Sequence, residues 1–280
     1  MSPSRFSHKG LHCEGISEGG IRTSLIVPTW RLMFDIGVLP IDTIRIENLL
    51  LTHGHLDHSI GVPYYISQRS LQNLKPPNVY LPDRIYETYK KILSEYEILE
   101  GFQYRYNLHP VTEKKMFDLS GHLSFQAFPT HHRVPSLGYT IYEKTKKLKK
   151  EYIDLEKSEL IRLKENGVLV SETRSVPMMS FSGDTRIEYV LENEDVRNSK
   201  ILVLECTYLD SSRDVKRARE WGHIHLDEIV NHADEFENEK IVLIHFSKRY
   251  HPKKIPAMVE EKLPDSLKGR VHCFLPDRFL

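Results

Sequence analysis

Little cysteine, no long apolar run and no excess of either charge sign mark this 280-residue chain. The three cysteines, Cys13, Cys206 and Cys273, are odd in number and far apart, which argues against a disulfide framework and suits a reducing cytoplasm. No run of about 18 apolar residues is present, so a membrane helix is not expected. The opening MSPSRFSHKGLHCEG lacks the apolar stretch of a signal peptide. Lys plus Arg and Asp plus Glu both number 39, so the formal charge is zero. That speaks against a generally basic nucleic-acid coat and against an acidic disordered chain, while leaving room for a local basic patch. Neither an internal repeat nor a Pro/Gly/Ser linker divides the sequence. What is present is core material: 40% apolar residues, with 14 Tyr and 11 Phe, which weighs against disorder.

The first third reads as short strands punctuated by turns. IRTSLIV (21–27) and RLMFDI (31–36) flank Pro28-Thr29-Trp30 as the arms of a hairpin with a longer loop. ENLLLT (47–52) is a short strand that stops at a histidine cluster. Residues 62–74 and 83–99 have helical spacing, with Ile85, Tyr89, Ile92 and Tyr96 stepping by three or four. Strands follow at 123–128 and 137–142. From 143 to 167 the chain becomes highly charged, with five lysines inside 144–150. Leu155, Leu160 and Leu163 suggest a short amphipathic helix ending at Gly167. This stretch is a solvated protrusion or an arm that contacts a polyanion. The last third alternates strands at 176–183, 200–205 and 240–245 with a helix at 225–236, the pattern of an α/β protein. His53, Asp184 and His245 stand just past apolar strands, where α/β folds collect ligand and catalytic groups.

The strongest chemical signal is Thr52-His53-Gly54-His55-Leu56-Asp57-His58. Imidazole nitrogen and carboxylate oxygen are good ligands for a borderline ion such as zinc. Packing accounts poorly for this density, because a buried imidazole needs a hydrogen-bond partner and a buried carboxylate is costly unless paired. In an extended segment alternate residues point the same way, so His53 and His55 would grip one ion. Asp57 and His58, past the turn, would serve a neighbouring one. One segment cannot fill two sites, and further ligands are expected at later strand ends. The candidates are His131 or His132, Asp184 in FSGDT, and His245 in LIHFSKRY. Taken alone, each is weak, since a lone histidine or aspartate at a strand end is more often a cap, a turn former or a hydrogen-bonded core residue.

HGHLDH, a later histidine, Ser-Gly-Asp-Thr and a final histidine after an apolar strand resemble the pattern of the metallo-β-lactamase superfamily over nearly the whole chain. Asp35 in FDIG looks like its first motif, an aspartate that braces the metal loop. Finer features resemble the ribonuclease Z branch. His132-Arg133-Val134-Pro135-Ser136-Leu137-Gly138-Tyr139 is similar to a ligand histidine followed by Ser-x-Gly-Tyr, which selects His132 over His131. Leu204-Glu205-Cys206-Thr207 is similar to a Glu-Ala-Thr segment. Trp221-Gly222-His223 stands where that branch has a histidine before its last helix, and His223 is selected over His225. His245-Phe246-Ser247-Lys248-Arg249-Tyr250 is close to a terminal His-x-Ser-x-Arg-Tyr.

The resemblance implies one four-layer αββα sandwich over 1–280, two mixed β-sheets flanked by helices, with a short charged insertion at about 143–178. His53, His55 and His132 would hold a first metal and Asp57, His58 and His245 a second. Asp184 would bridge them together with a hydroxide. Zinc is expected because five of the seven ligands are imidazoles, with manganese or iron as alternatives. The implied function is a dinuclear-metal-dependent phosphodiesterase resembling ribonuclease Z, an RNA endonuclease of the tRNA 3′-processing kind, whose bridging hydroxide attacks the phosphodiester. Asp57, His223 and Glu205 are the catalytic candidates. His223 would protonate the leaving alkoxide and Glu205 would hold its ring in the useful tautomer. Ser247, Arg249 and Tyr250 would bind phosphate oxygens. Ser182, Thr185 and Thr207 would orient ligands.

Two other readings remain. One is a hydrolase of a small substrate on the same scaffold (a cyclic nucleotide, a thioester or a lactone), favoured by the short insertion and zero net charge. The other is a non-catalytic, metal-bearing interaction module, against which the full ligand set speaks. A phosphodiester partner such as RNA or tRNA, a homodimer, no membrane and a cytoplasmic location complete the expectations.

Overall fold

The structure, a computed structural model, describes residues 3–38 and 41–276. Its described strands form two sheets of seven. The first sheet runs β1 (Ser4–His8), β2 (Leu11–Glu18), β3 (Arg22–Val27), β4 (Leu32–Phe34), β5 (Asn48–Leu50), β6 (Asn78–Pro82) and β7 (Asn107–Val111) in sequence order. The second runs β8 (Met116–Ser120), β9 (Leu123–Pro129), β10 (Leu137–Leu148), β11 (Ser171–Phe181), β12 (Ile201–Glu205), β13 (Lys240–Ile244) and β14 (Val271–Cys273). In each sheet the first three pairings are antiparallel and the last three parallel. The sequence has no repeat, yet its halves share one topology. Strand pairing is set by alternation and turn chemistry, which diverged residues can supply equally well.

β12 shows how the layers arise. Ile201 and Val203 face the other sheet, whereas Leu202 and Leu204 face helices, as a period of two demands. Being covered on both faces, it reads as a continuous apolar run. Between the sheets, Phe34 stacks on Phe181 with ring centroids 4.7 Å apart, and Phe125 meets Tyr139 edge-on. Over the first sheet lie α1 (Leu56–Ser59), α2 (Val62–Leu71) and α3 (Asp83–Glu100), which bury Tyr65, Ile66, Tyr89 and Leu93 against Leu49 and Val79. The second sheet is covered by α5 (Glu188–Leu191), α6 (Glu194–Asn198), α7 (Val215–Trp221), α8 (Leu226–Asn231) and α9 (Ile255–Lys262). The result is the expected αββα sandwich.

The charged stretch departs from a loop. β10 and β11 continue past the sheet as a hairpin whose ladder runs from Glu143↔Val176 to Leu148↔Ser171. α4 (Lys157–Glu165) sits at its tip, and the lysines of 144–150 lie along the hairpin. Pro177 falls next to the register shift at Ile141/Tyr142, where a missing N–H does least harm. The expected 225–236 helix is two pieces, α8 and a 3-10 turn at Ala233–Glu235. No described helix is long and apolar enough to cross a membrane.

Candidate metal centre

Strand ends from both sheets meet at one edge of the sandwich. β5 delivers Thr52 and His53, and the turn into α1 delivers His55, Asp57 and His58. β9 leads to His132, β11 to Asp184, β12 to Glu205 and β13 to His245. Two backbone features force these residues inward. Asp35 and His245 hold left-handed φ values of 54° and 63°, sparsely populated for side-chain-bearing residues and typical of over-determined functional sites. Gly183, at φ 58°, leaves no room for a Cβ, which would lie 2.7 Å from the Thr52 Cβ. The turn that aims Asp184 therefore needs glycine.

The donor atoms form two groups joined by Asp184. Those of His53, His55, His132 and Asp184 lie within 4.8 Å of one another, as do those of Asp57, His58 and His245. Asp184 Oδ2 faces His53 Nε2 at 3.9 Å and His132 Nε2 at 4.0 Å. Its Oδ1 lies 3.3 Å from both His58 Nε2 and His245 Nε2. Asp57 Oδ2 stands 3.7 Å from the same two nitrogens.

The far nitrogens of four rings are already committed. His58 Nδ1 donates to Asp35 Oδ2 at 2.7 Å, and His132 Nδ1 donates to the Gly222 carbonyl at 3.0 Å. Thr52 Oγ1 gives its proton to Asp35 and so accepts from His53 Nδ1 at 2.9 Å. Thr207 Oγ1 gives its proton to Glu205 and so accepts from His245 Nδ1 at 2.9 Å. Such backing fixes tautomers and leaves Nε2 bare, as in metal-ligating histidines. Two such nitrogens face each other, His58 Nε2 to His245 Nε2 at 3.4 Å, and converge on Asp184 Oδ1. Asp184 Oδ1 is buried without a hydrogen bond among the described residues. Converging lone pairs and an orphaned carboxylate oxygen fit divalent cations; with nitrogen and oxygen donors only, the set suits a borderline ion.

Electrostatics agree. Burial holds His53 well below its ordinary pKa and lowers His55 and His132, keeping these rings neutral as ligands must be. Burial opposes charge on His58 too, but Asp184 and Asp35 outweigh it and raise that ring well above the usual range. Burial likewise opposes ionised Asp184, and His245 and His58 outweigh it. The same two carboxylates, Asp184 and Asp35, would favour a cation placed between these rings.

His223 sits beside this cluster, its ring 5.3 Å from those of His245 and His132. Its Nδ1 donates to Glu205 Oε1 at 2.8 Å. Glu205, fully buried, also accepts from the Thr185 N–H, the Thr207 N–H and the Thr207 hydroxyl. Burial disfavours imidazolium at His223, but Glu205 wins and lifts the pKa to about 9. Asp184, His223 and His245 would also make a cation site. The His223 Nδ1, 4.0 Å from Asp184 Oδ2, is already engaged by Glu205.

Other expected residues lie elsewhere. His131 pairs with Glu192 on the surface, and His225 caps α8, its Nδ1 accepting the Asp227 N–H. Ser247 and Arg249 bond to each other at the rim, with the Arg249 guanidinium over the Tyr208 ring. Tyr250, the third residue expected to bind phosphate, has other contacts. It is buried; its hydroxyl accepts the Leu209 N–H at 3.0 Å and reaches Asp210, tying down the 207–210 loop. Sequence reasoning missed Ser17 on β2, whose hydroxyl accepts the His245 N–H at 2.9 Å, and the Gly222 carbonyl behind His132. A glycine closing a helix was a visible signal for the second; a lone serine gave none for the first.

Known proteins place this geometry. The family model described as Anti-Pycsar protein Apyc1 matches residues 31–262. The chain is 41% identical over 265 residues to "tRNase Z TRZ1" of Arabidopsis thaliana, covering 94% of each protein. It is 37% identical to that plant's "tRNase Z TRZ2, chloroplastic", covering 92% of this chain and 73% of the relative. The crystal structure of the short form of human tRNase Z superposes with a TM-score of 0.58 at 18% identity, over 89% of this chain and 94% of that one, a likeness of fold. On sequence and architecture together, the chain belongs to the ribonuclease Z branch of the metallo-β-lactamase superfamily.

Proposed function

We propose that this protein is a dinuclear metal-dependent endonuclease that cleaves a phosphodiester of precursor tRNA at the 3′ side. The observation that carries the reading is Asp184, which turns one oxygen to each of two donor groups, beside a His223 ring held by Glu205. His53, His55 and His132 would hold one ion and Asp57, His58 and His245 the other, with Asp184 offering an oxygen to each group; zinc suits the imidazole majority. Divalent ions held there would supply Lewis acidity and a source of nucleophilic oxygen near neutral pH.

The chain's own residues do the rest. Asp35 and Thr207 keep the His58 and His245 rings turned inward. Glu205 fixes Nδ1 of His223 as a donor and keeps the ring protonated, so that Nε2 can pass a proton to the departing oxygen. Arg249 and Ser247 stand at the rim to bind phosphate oxygens. Along the β10–β11 hairpin, Lys144, Lys146, Lys147, Lys149 and Lys150 would neutralise phosphates away from the cleavage point.

A homodimer belongs to the same reading. Leu56, Tyr64, Ile92 and Tyr96 on α1, α2 and α3, and Ile60 just after α1, are exposed, and all but Tyr64 line an apolar cavity of about 500 Å³ that opens beside His55. Isolated exposed apolar residues are ordinary, but a contiguous set suits a protein interface. Three buried, free cysteines suit the cytoplasm.

The test is cleavage of a tRNA precursor with a 3′ extension, beside a panel of bis(p-nitrophenyl) phosphate, cyclic nucleotides, a thioester and a lactone, on protein of measured metal content. Endonucleolytic cut at the 3′ side is expected. The matching family model is not described as a nuclease, so the small-substrate reading shares the panel. Turnover of a small substrate with the RNA left intact would replace the first reading by the second.

A further inference from the structure

The chain carries two tryptophans, and Trp221 is exposed at 43%. It closes α7 directly before Gly222 and His223. The Arg133 guanidinium lies 4.7 Å from its ring centroid and that of Arg217 5.3 Å away. Both are within reach of a cation–π contact. Arg133 directly follows His132, so the Arg133–Trp221 contact continues the seam in which His132 bonds the Gly222 carbonyl. That seam is tight: a Cβ on Gly222 would lie 2.8 Å from His132 Nδ1. The indole and the guanidinium thus stand beside a metal-site residue on one side and His223 on the other.

This arrangement is more than surface packing. Arg133 has no acidic partner within ion-pair distance among the described residues, so its charge is not spent inside the protein. Arg217 pairs with Glu220 at 2.8 Å and also lines a polar cavity of about 330 Å³ with Arg213 and Lys216. Asp214 in that cavity caps α7 by accepting the Arg217 N–H. Arg213 and Lys216 make no ion pair among the described residues. Flat cation, flat aromatic ring and a run of available cations match a single strand of nucleic acid, in which bases stack and phosphates need neutralising.

We propose that Arg133 and Trp221 form the stacking seat for the nucleotide on the leaving-oxygen side of the cleaved bond, with Arg213 and Lys216 receiving the adjoining phosphates. The side follows from His223, which lies two residues from Trp221 and serves the departing oxygen. The inference rests on the RNA-cleaving reading above and adds which part of the strand is gripped, and by what.

The experiment is a cycle of two changes, Trp221→Ala in the full-length, metal-loaded protein and removal of the base at that nucleotide in a precursor RNA. Trp221→Ala should lower kcat/KM on the intact RNA by roughly ten- to a hundredfold, the worth of one stacked base. The abasic RNA should lower the unsubstituted protein's rate similarly. The two losses should not add, so both proteins cleave abasic RNA within about twofold of each other. Trp221→Phe should recover most of the rate, and thermal melting shows that each variant is folded. Full additivity of the losses, or a Trp221→Ala protein as fast as the original on intact RNA, overturns the seat. Binding of the same two RNAs as short single strands, read by fluorescence anisotropy, separates the layers. Discrimination between them without cleavage overturns the RNA-cleaving reading and leaves the seat standing. Equal binding overturns the seat. Replacing Arg213 and Lys216 by Gln should reduce the slope of log affinity against log salt by about 0.7 for each phosphate no longer neutralised; an unchanged slope removes them from the strand's path.

Discussion

Replacing Glu205 by Gln strikes proton delivery while leaving every donor of the metal centre in place. The carboxylate accepts four hydrogen bonds, from the Thr185 N–H, the His223 Nδ1 and the Thr207 N–H and hydroxyl. Gln has one accepting oxygen, so its amide nitrogen would confront donors whichever way it turns. His223 would keep its burial and lose its anion. Burial favours the neutral ring, and Glu205 at present outweighs it, moving the pKa from an ordinary 6.5 to about 9. That lift is worth about 3 kcal/mol of preference for the protonated form. The sign is then fixed. A raised pKa holds the proton until the pH passes it, so the alkaline limb of RNA cleavage lies towards about 9. In Glu205→Gln the limb moves to lower pH. At pH 8, kcat/KM on RNA should fall by about 10²- to 10⁴-fold, the range for loss of a general acid. Bis(p-nitrophenyl) phosphate, whose phenolate departs without a proton, should lose far less. Elemental analysis should show the metal content retained. Equal losses on both substrates, or an alkaline limb that does not move, would refute the reasoning.

Asp184→Asn removes the charge both donor groups share; metal content by elemental analysis should fall along with turnover, and chelation of the unsubstituted protein should abolish activity until zinc is restored. Gly183→Ala meets the Thr52 side chain at 2.7 Å with φ held at 58°, and should cost at least about 1–3 kcal/mol in a denaturant titration. Tyr250→Phe strips the buried Leu209 N–H of its acceptor and should cost about 1–3 kcal/mol in the same measurement. Burial pushes the Cys13 and Cys273 thiols up to about 12 and Cys206 well above its ordinary value, so iodoacetamide at pH 8 should label none of the three in the folded protein and all of them in guanidinium, as read by mass spectrometry.

Most of the centre was legible because its ligands must follow strand ends and because HGHLDH concentrates donors that packing cannot use. Asp184 and His245 were ambiguous singly and informative as a set. The layers were legible from period-two strands such as β12. What stayed hidden depends on contacts between distant segments. Nothing near Ser17 announces that it holds the His245 backbone 228 residues away. Tyr250 lies in a motif that suggests phosphate binding, and only the course of the 207–210 loop shows its hydroxyl already engaged. The lysine-rich stretch gave no strand signal because its charges mask the alternation; its ladder to 171–177 is what makes it strand. Trp221 appeared as a marker for His223, and its meeting with Arg133 follows from the fold.

The twin topology of the two sheets has a consequence for assembly. One half of the chain brings His53, His55, Asp57 and His58, the other His132, Asp184 and His245, and each donor group draws on both. Cation uptake is therefore a rivet through the seam between the halves: its binding energy is gained only once they have docked, and adds to the stability of the joined form. Stripped of ions, the molecule should loosen first along that seam, while hydrogen exchange within β12 and β13 stays slow.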